Sequence, residues 1–403
     1  NFVGKNAFAA VNLIMPFLMG ISALGFMIGT GGSAIVAKTL GEGKTEKANE
    51  YFSLLVYITA IGGIIIAILS MFLVKPVAIL FGANGALLDN CILYGRILCI
   101  SLPAFMLQNV FQSFFVTAEK PHLGLRVIVI AGVTNMVLDF LFVAVLHFGL
   151  PGAGFATVCG EFIGGLFPLF YFGRKNSSLL KLGKTHFHGR ILLKTCTNGS
   201  SELMTNLSSS IVNALYNMQL MKFAGEDGVA AYGTIMYVNF IFVSIFLGYA
   251  IGSAPIVSYH YGAGNQDELK NLFLKSIRLI GTWAVSLFVI AQLIATPLAT
   301  LFVGYDHGLF ELTRNGFRLY SFAFLINGFN IYGSAFFTAL NNGLLSALIS
   351  FLRTLVFQMA IVLLLPLILG INGVWCSVAI AELLTLCVTG TFIIRKRSTY
   401  HYF

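Results

Sequence analysis

The sequence predicts an all-α polytopic membrane protein built from two six-helix bundles related by a parallel internal repeat. Three observations predict this fold: the composition, a series of long apolar runs, and a single offset that aligns the two halves. Of the 403 residues, 58% are apolar and 10% are charged, and the mean hydropathy is +0.88. Soluble domains contain about 25% charged residues, so a soluble globule is excluded, and the high apolar content excludes a disordered chain.

Eleven apolar runs follow one another along the chain, with short polar segments between them. A helix of about 20 apolar residues spans a bilayer, and every run reaches that length. The predicted spans are 7–40, 52–73, 88–118, 125–146, 153–172, 195–223, 229–259, 273–302, 312–340, 344–369 and 374–394.

One longer polar segment divides these spans into two groups. The organisation that we expect is an N-terminal bundle over 1–172, a cytoplasmic linker over 173–194, a C-terminal bundle over 195–394 and a cytoplasmic tail over 395–403.

The two halves are copies of each other at an offset of 221 residues. This offset places Phe52 on Phe273 and Glu161 on Glu382, and the pattern Ser-x-Phe-x-Thr-Ala recurs at 113–118 and 334–339. A constant offset over the whole length indicates a duplicated unit. The counterpart of the sixth run falls before residue 1, so we expect twelve helices in the intact protein. We expect eleven of them in this chain, with the first helix of the N-terminal bundle missing from it.

Lys and Arg residues are distributed unequally between the two sides of the predicted spans. The loops around 41–50, 119–126, 173–194 and 260–278, together with the C-terminal tail, carry 17 of the 24 basic residues. The positive-inside rule makes this side cytoplasmic, so we expect a multi-pass protein of the plasma membrane (a bacterial inner membrane) with a cytoplasmic C-terminus. Because no continuous basic face accompanies the net charge of +9, nucleic acid is not expected as a partner.

Ionisable side chains inside a membrane are costly and are therefore functional candidates. Asp139 is the strongest of them, because Asn135 lies one turn before it on the same helix face. A carboxylate and an amide placed together bind a proton or contribute oxygen ligands to Na⁺. The alternative is that Asp139 locks helices together through Asn135 or Arg353.

The other intramembrane ionisable residues are weaker candidates. For Glu161 and Glu382, which the repeat makes equivalent, we expect a structural role. For Glu202, cation binding and a structural hydrogen bond both stay open. Arg353 is expected to extend towards the cytoplasmic surface.

Several stretches resemble the bacterial, MepA-type branch of the multidrug and toxic compound extrusion (MATE) family. They are Asn135-Met-Val-Leu-Asp139-Phe, Gly149-Leu-Pro-Gly152-Ala-Gly154-Phe-Ala156-Thr157, Pro255-Ile-Val-Ser-Tyr-His-Tyr-Gly262-Ala-Gly264-Asn and Gly370-Ile-Asn-Gly373-Val-Trp375. The resemblance covers essentially the whole chain. It implies an antiporter that exports small organic cations across the lipid bilayer in exchange for H⁺ or Na⁺, by alternating access. We expect the protein to be a monomer.

The resemblance also implies a coupling-ion and substrate-binding site. The matching positions are Asp139, Asn135, Thr157, Tyr94 and Gln112, with Na⁺ or H⁺ held by the first three. Glu202 matches a second site of some relatives, but the aspartate that accompanies it there has no counterpart in 312–340.

The sequence lacks the motifs of several other functions. No Walker-A, H-E-x-x-H or G-x-S-x-G sequence is present, so we expect neither an enzyme nor a nucleotide-driven pump, and no cofactor besides the coupling ion. The alternative function is a flippase of the same superfamily that moves a lipid-linked substrate. Such a flippase is expected to line its cavity with several basic residues, whereas only Arg353 lies deep in a span here. A channel is also considered, although the repeat and the proline-kinked helices fit alternating access better.

Overall fold

The computed structural model describes residues 5–402. Over that range the chain forms helices joined by short turns and by one longer non-helical segment, 174–188, and it contains no β-strand. Ten of the described helical stretches are long and apolar enough to cross a membrane. The predicted all-α membrane fold is confirmed.

The first half of the chain forms five long helices. They are α1 (Lys5–Gly41), α2 (Thr45–Leu80), α3 (Gly85–Thr117), α4 (Pro121–Asp139) and α5 (Gly149–Gly173). The six residues that directly follow α4, Phe140–Val145, continue this helix as a π-helical segment. The predicted span 125–146 therefore corresponds to α4 together with this wider turn.

The second half contains eight helical elements. They are α6 (Gly189–Gly262), α7 (Gln266–Val303), α8 (His307–Tyr320), α9 (Phe324–Ala339), α10 (Gly343–Phe351), α11 (Gln358–Leu364), α12 (Pro366–Leu369) and α13 (Ile371–Tyr400). A 3-10 turn, Ser321–Ala323, joins α8 to α9, and a π-helical segment, Leu352–Phe357, joins α10 to α11. The elements on either side of each segment act as one span.

The helix α6 has 74 residues, more than three times the roughly 20 that a bilayer requires, because it consists of two helices that meet at Gly225. This glycine has φ 61° and ψ −147°, a conformation outside the helical region. Residues with a Cβ are strained there, so only glycine makes this break without a penalty. The two predicted spans 195–223 and 229–259 lie on either side of the break, which gives eleven spans in total.

The chain folds into two compact units, Asn1–Gly199 and Ser200–Phe403. The division falls inside α6, a few residues after the predicted end of the linker. At the C-terminal end, α13 continues through the basic cluster at 395–397 to Tyr400.

Each unit has an aromatic core around one member of the repeat-related pair Phe52 and Phe273. In the first unit the rings of Phe52 and Phe114 lie 4.9 Å apart. In the second unit Phe273 lies 5.1 Å from Phe336 and 5.3 Å from Tyr402. Tyr402 is fully buried, because the chain turns back after α13 and brings this ring into the core.

The segment between α5 and α6 lies along the beginning of α2, within the first unit. Asn49 Oδ1 accepts a hydrogen bond from the backbone N–H of Lys181 at 2.6 Å, and Ser53 Oγ accepts one from Gly183 at 3.0 Å. His188 Nε2 lies 2.8 Å from Glu50 Oε1. The polar linker is thus attached to α2 by several side-chain contacts.

Candidate functional site

Asp139 is the last residue of α4 and directly precedes the π-helical segment Phe140–Val145. Its side chain is half-buried, and the carboxylate has no hydrogen-bond or ion-pair partner among the described residues. Wider turns of this kind are frequent at functional sites, because the change from i→i+4 to i→i+5 bonding alters the helix ladder locally. An uncompensated carboxylate therefore lies at a local irregularity of the helix.

Asn135 and Thr157 connect α4 to α5 beside Asp139. Asn135 lies one turn before Asp139, and its Nδ2 donates a hydrogen bond of 3.4 Å to Thr157 Oγ1. The Thr157 hydroxyl in turn donates to the backbone carbonyl of Ala153 on α5 at 3.1 Å. The structure thus brings the predicted residues Asn135 and Thr157 together.

Tyr94 approaches the same cluster from α3. Its side chain is only 4% exposed, and a Cβ added at Gly154 of α5 would lie 3.5 Å from the Tyr94 ring. The hydroxyl lies close to Thr157 and within electrostatic range of the carboxylates of Asp139 and Glu161. Three helices, α3, α4 and α5, therefore contribute to the cluster.

Gly160 allows α4 and α5 to approach closely enough for these contacts. A Cβ at this position would lie 2.9 Å from the carbonyl oxygen of Ala131 and 3.1 Å from Cβ of Asn135. The Gly160-x-x-x-Gly164 sequence is thus a helix-packing motif directly beside the polar cluster.

Gln112 lies apart from the other predicted residues of the first unit. It follows Tyr94 on α3 by 18 residues, which corresponds to about 27 Å of helix. The helices α3 and α5 run in the same direction, since Tyr94 faces Gly154 and the backbone at Ala104 faces Gly165. Gln112 is therefore well beyond the level of Thr157, and its side chain is half-buried elsewhere on α3.

The cluster offers the oxygen atoms of a carboxylate, an amide, an alcohol and a phenol. Hard cations prefer such ligands, and a carboxylate in partly apolar surroundings also accepts a proton. The four residues Asp139, Asn135, Thr157 and Tyr94 therefore have the chemistry to bind either Na⁺ or H⁺.

Comparison with known proteins identifies the family of the chain. A family model described as MatE matches residues 1–141 and 203–385, which is most of the chain. The chain belongs to the MatE family. The sequence motifs predict this family, and the prediction is confirmed.

Individual relatives of this MatE family member are distant but cover its length well. The multidrug export protein MepA of Staphylococcus saprophyticus is 21% identical over 398 residues, which cover 98% of this chain and 86% of that protein. The FAD transporter of Shewanella oneidensis is 22% identical over 310 residues, which cover 74% of this chain and 67% of that protein.

A solved structure has the same fold. The outward-facing structure of a multidrug resistance MATE family transporter gives a TM-score of 0.93 at 24% identity, covering 99% of this chain and 89% of that one. The named relatives are transporters, and the similarity of structure concerns the fold.

Glu202, the remaining predicted site residue, belongs to the second unit of this MatE family chain. It lies on α6, is half-buried and is within electrostatic range of Arg353. A fixed positive charge nearby opposes the binding of a further cation. The surroundings of Glu202 thus differ from those of Asp139, whose carboxylate has no positive side chain as a partner among the described residues.

Arg353 takes part in a buried polar network instead of extending to the surface. Its Nε donates to Glu382 Oε1 at 2.8 Å, and its Nη2 donates to Asn327 Oδ1 at 3.1 Å. Asn330 Nδ2 donates to Glu382 Oε2 at 2.7 Å and accepts, through Oδ1, a 3.1 Å bond from Thr389. The structural role expected for Glu382 has a specific partner, whereas the expectation that Arg353 extends to the surface is wrong.

Three members of this network are not predicted from the sequence. Asn327, Asn330 and Thr389 are uncharged and lie in apolar spans, where the cost of a charge does not draw attention to them. The available signal for Asn330 is the internal repeat, because the same offset places it on Asn109.

Proposed function

We propose that this protein is a secondary active multidrug exporter that exchanges small organic cations for H⁺ or Na⁺ by alternating access. The observation that carries the proposal is the Asp139 carboxylate, which has no partner among the described residues and lies beside Asn135, Thr157 and Tyr94. Membership in the MatE family and the name of its relative MepA, a multidrug export protein, support the export of drugs.

The exchange requires that ion and substrate favour different conformations. A ligand shifts a conformational equilibrium only by the difference of its affinities for the two states. An ion bound at Asp139 neutralises the carboxylate and thereby weakens its attraction for an organic cation. By reciprocity, a bound organic cation weakens ion binding to the same extent, and this mutual exclusion is the basis of antiport.

The distribution of basic residues supports an orientation for the exporter. The side that carries most Lys and Arg, including Arg395, Lys396 and Arg397 at the end of α13, is assigned to the cytoplasm of a bacterial cell. With this orientation, organic cations leave towards the outside while the coupling ion enters along its gradient. We further propose that the protein acts as a monomer and needs no cofactor.

The alternative function, a flippase for a lipid-linked substrate, is less well supported by the contacts of the second unit. A substrate with phosphate groups needs basic side chains that are available for binding. Two of the guanidinium N–H groups of Arg353 already bond to Glu382 and Asn327. One relative is named as an FAD transporter, and FAD carries phosphate groups. A substrate of this class is therefore included in the test.

The test is efflux of ethidium from bacterial cells that express the protein, with imposed H⁺ and Na⁺ gradients applied separately. The variants are Asp139→Asn and, as a matched control, Asp89→Asn, since Asp89 is an exposed carboxylate one turn into α3. We expect gradient-dependent efflux in the parent and the control, and its loss in Asp139→Asn. Unchanged, ion-dependent efflux in Asp139→Asn would exclude this site. Efflux of FAD with none of ethidium would favour the alternative substrate class.

A further inference from the structure

The two glutamates that the repeat makes equivalent have different surroundings. Glu382 in the second unit is 1% exposed and is paired with Arg353. Subtracting the repeat offset of 221 from 353 gives position 132, which is Gly132 on α4. Glu161 in the first unit therefore lacks the arginine that compensates its counterpart.

The surroundings of Glu161 are almost entirely apolar. The carboxylate contributes to the wall of a cavity of about 20 Å³, whose other lining residues are apolar side chains of α1 and α3. They are Met15, Leu18, Met19, Leu98, Leu102 and Phe105. The polar contact to Glu161 comes from the Ser101 hydroxyl on α3.

The charged and titratable groups near Glu161 do not include a cation among the described residues. From α3, Tyr94 is within electrostatic range of both Glu161 and Asp139 on α4. Those lining residues that come from α1 are uncharged. The environment therefore provides no positive charge to stabilise the ionised form.

An isolated ionised carboxylate in apolar surroundings carries a large desolvation penalty, and such a group is neutralised instead. Arg353 provides the neutralising charge for Glu382. Na⁺ is a poor substitute at Glu161, because hard cations need several oxygen ligands, whereas the cavity lining offers the carboxylate and the Ser101 hydroxyl adds one oxygen beside it. A proton needs no further ligands, and a cavity of this size has room for about one water molecule to deliver it.

We propose that Glu161 takes up a proton inside the first bundle, as a second protonatable carboxylate beside Asp139, and that Arg353 replaces this proton at the equivalent position of the second bundle. Protonation adds a hydrogen to one carboxylate oxygen of Glu161 and requires no other reactant. Thr157 lies one turn before Glu161 on α5, so the charge of Glu161 acts next to the cluster around Asp139. The use of this proton in coupling rests on the proposed antiport, whereas its uptake does not.

Infrared difference spectroscopy of the purified protein in lipid tests the uptake without any transport. The spectra compare acidic with alkaline pH in H₂O and D₂O, and they report the carbonyl stretch of protonated carboxylic acids. We expect a pH-dependent band that disappears in Glu161→Gln and persists in Asp89→Asn. Persistence of every such band in Glu161→Gln would overturn the proposal, as would displacement of the Glu161 band by Na⁺ at constant pH.

A second variant tests the same proposal with the carboxylate retained. Gly132→Arg places a guanidinium at the position that corresponds to Arg353, where an added Cβ meets no heavy atom within 4 Å. We expect this arginine to pair with Glu161 and remove the Glu161 band, whereas Gly132→Gln leaves the band unchanged. A band that is equally strong in both variants would contradict the role assigned to the missing arginine. If the parent protein shows the Glu161 band but no ion-dependent ethidium efflux, this result counts against the proposed antiport and not against proton uptake.

Discussion

Arg353 Nε donates a 2.8 Å hydrogen bond to Oε1 of Glu382, the glutamate that the internal repeat pairs with Glu161. The pair is deep in the second unit, where Asn330 also bonds to the Glu382 carboxylate. Removing one partner of a buried ion pair leaves the other charge uncompensated, which costs about 3–5 kcal/mol. Through its bonds to Glu382 and Asn327, Arg353 therefore holds the segment Leu352–Phe357 against α13 and α9.

Arg353→Met is expected to destabilise the second unit strongly, because Glu382 then has no positive partner. The double variant Arg353→Met/Glu382→Gln is expected to recover most of the lost stability, since the uncompensated charge is gone. Thermal unfolding in detergent micelles measures both effects. Equal stability of the single and double variants would show that the charge pair is not what stabilises this network.

Thr157→Val tests the hydroxyl that joins α4 and α5 at the candidate site. Valine has nearly the same volume but offers no oxygen to an ion and no acceptor to Asn135. We expect the ion concentration for half-maximal export to rise about tenfold, which corresponds to about 1.4 kcal/mol. Thr157→Ser keeps the hydroxyl and is expected to stay close to the parent protein. A similar loss in both variants would point to packing as the cause.

Gly160→Ala tests the close approach of α4 to α5. The added Cβ would lie 2.9 Å from the carbonyl oxygen of Ala131, so the helices must separate. Overpacking of this kind costs about 1–3 kcal/mol, and the separation also lengthens the contact between Asn135 and Thr157. We expect a lower unfolding temperature together with weaker ion-dependent efflux.

Gly132→Ala is the matched control on α4, because an added Cβ there meets no heavy atom within 4 Å. This variant is expected to retain stability and efflux. If Gly160→Ala behaves like Gly132→Ala, the two helices do not need this close contact.

The linker between α5 and α6 is expected to resist proteolysis as long as α2 holds it. The double variant Asn49→Leu/Ser53→Ala removes the acceptors for the backbone N–H groups of Lys181 and Gly183. Each such bond contributes about 0.5–1.5 kcal/mol, so we expect about tenfold faster cleavage by trypsin after Lys181. Glu46→Gln, an exposed change in the same part of α2, should leave the rate unchanged. Equal rates in all three proteins would show that the linker is held by other contacts.

The overall fold follows from the sequence because apolar length and the repeat are properties of the chain itself. Eleven spans and their approximate bounds require no knowledge of side-chain contacts. Apolar length and the repeat do not predict the break at Gly225. They also do not predict the π-helical segments after Asp139 and around Arg353, since no apolar pattern distinguishes a π turn from an α turn.

The candidate site was only partly accessible from the sequence. The proximity of Asn135 to Asp139 follows from helical spacing, and the meeting with Thr157 and Tyr94 follows from the family resemblance. The partner of Arg353 could not be derived, because both Asp139 and Glu382 are carboxylates in spans and sequence alone does not tell which helix packs beside it. Gln112 shows the same limit, since its place on α3 becomes clear only from the level at which α3 meets α5.

The most direct test of the account is substrate-driven ion movement in proteoliposomes that contain the purified protein. A gradient of ethidium is imposed without any ion gradient, and dyes inside the vesicles record H⁺ and Na⁺. By reciprocity of coupling, we expect ethidium flow to drive one of these ions in the opposite direction, and Asp139→Asn to abolish this ion flux. Ethidium flow with no opposite ion flux, or an ion flux that persists in Asp139→Asn, would contradict the assignment of antiport to Asp139.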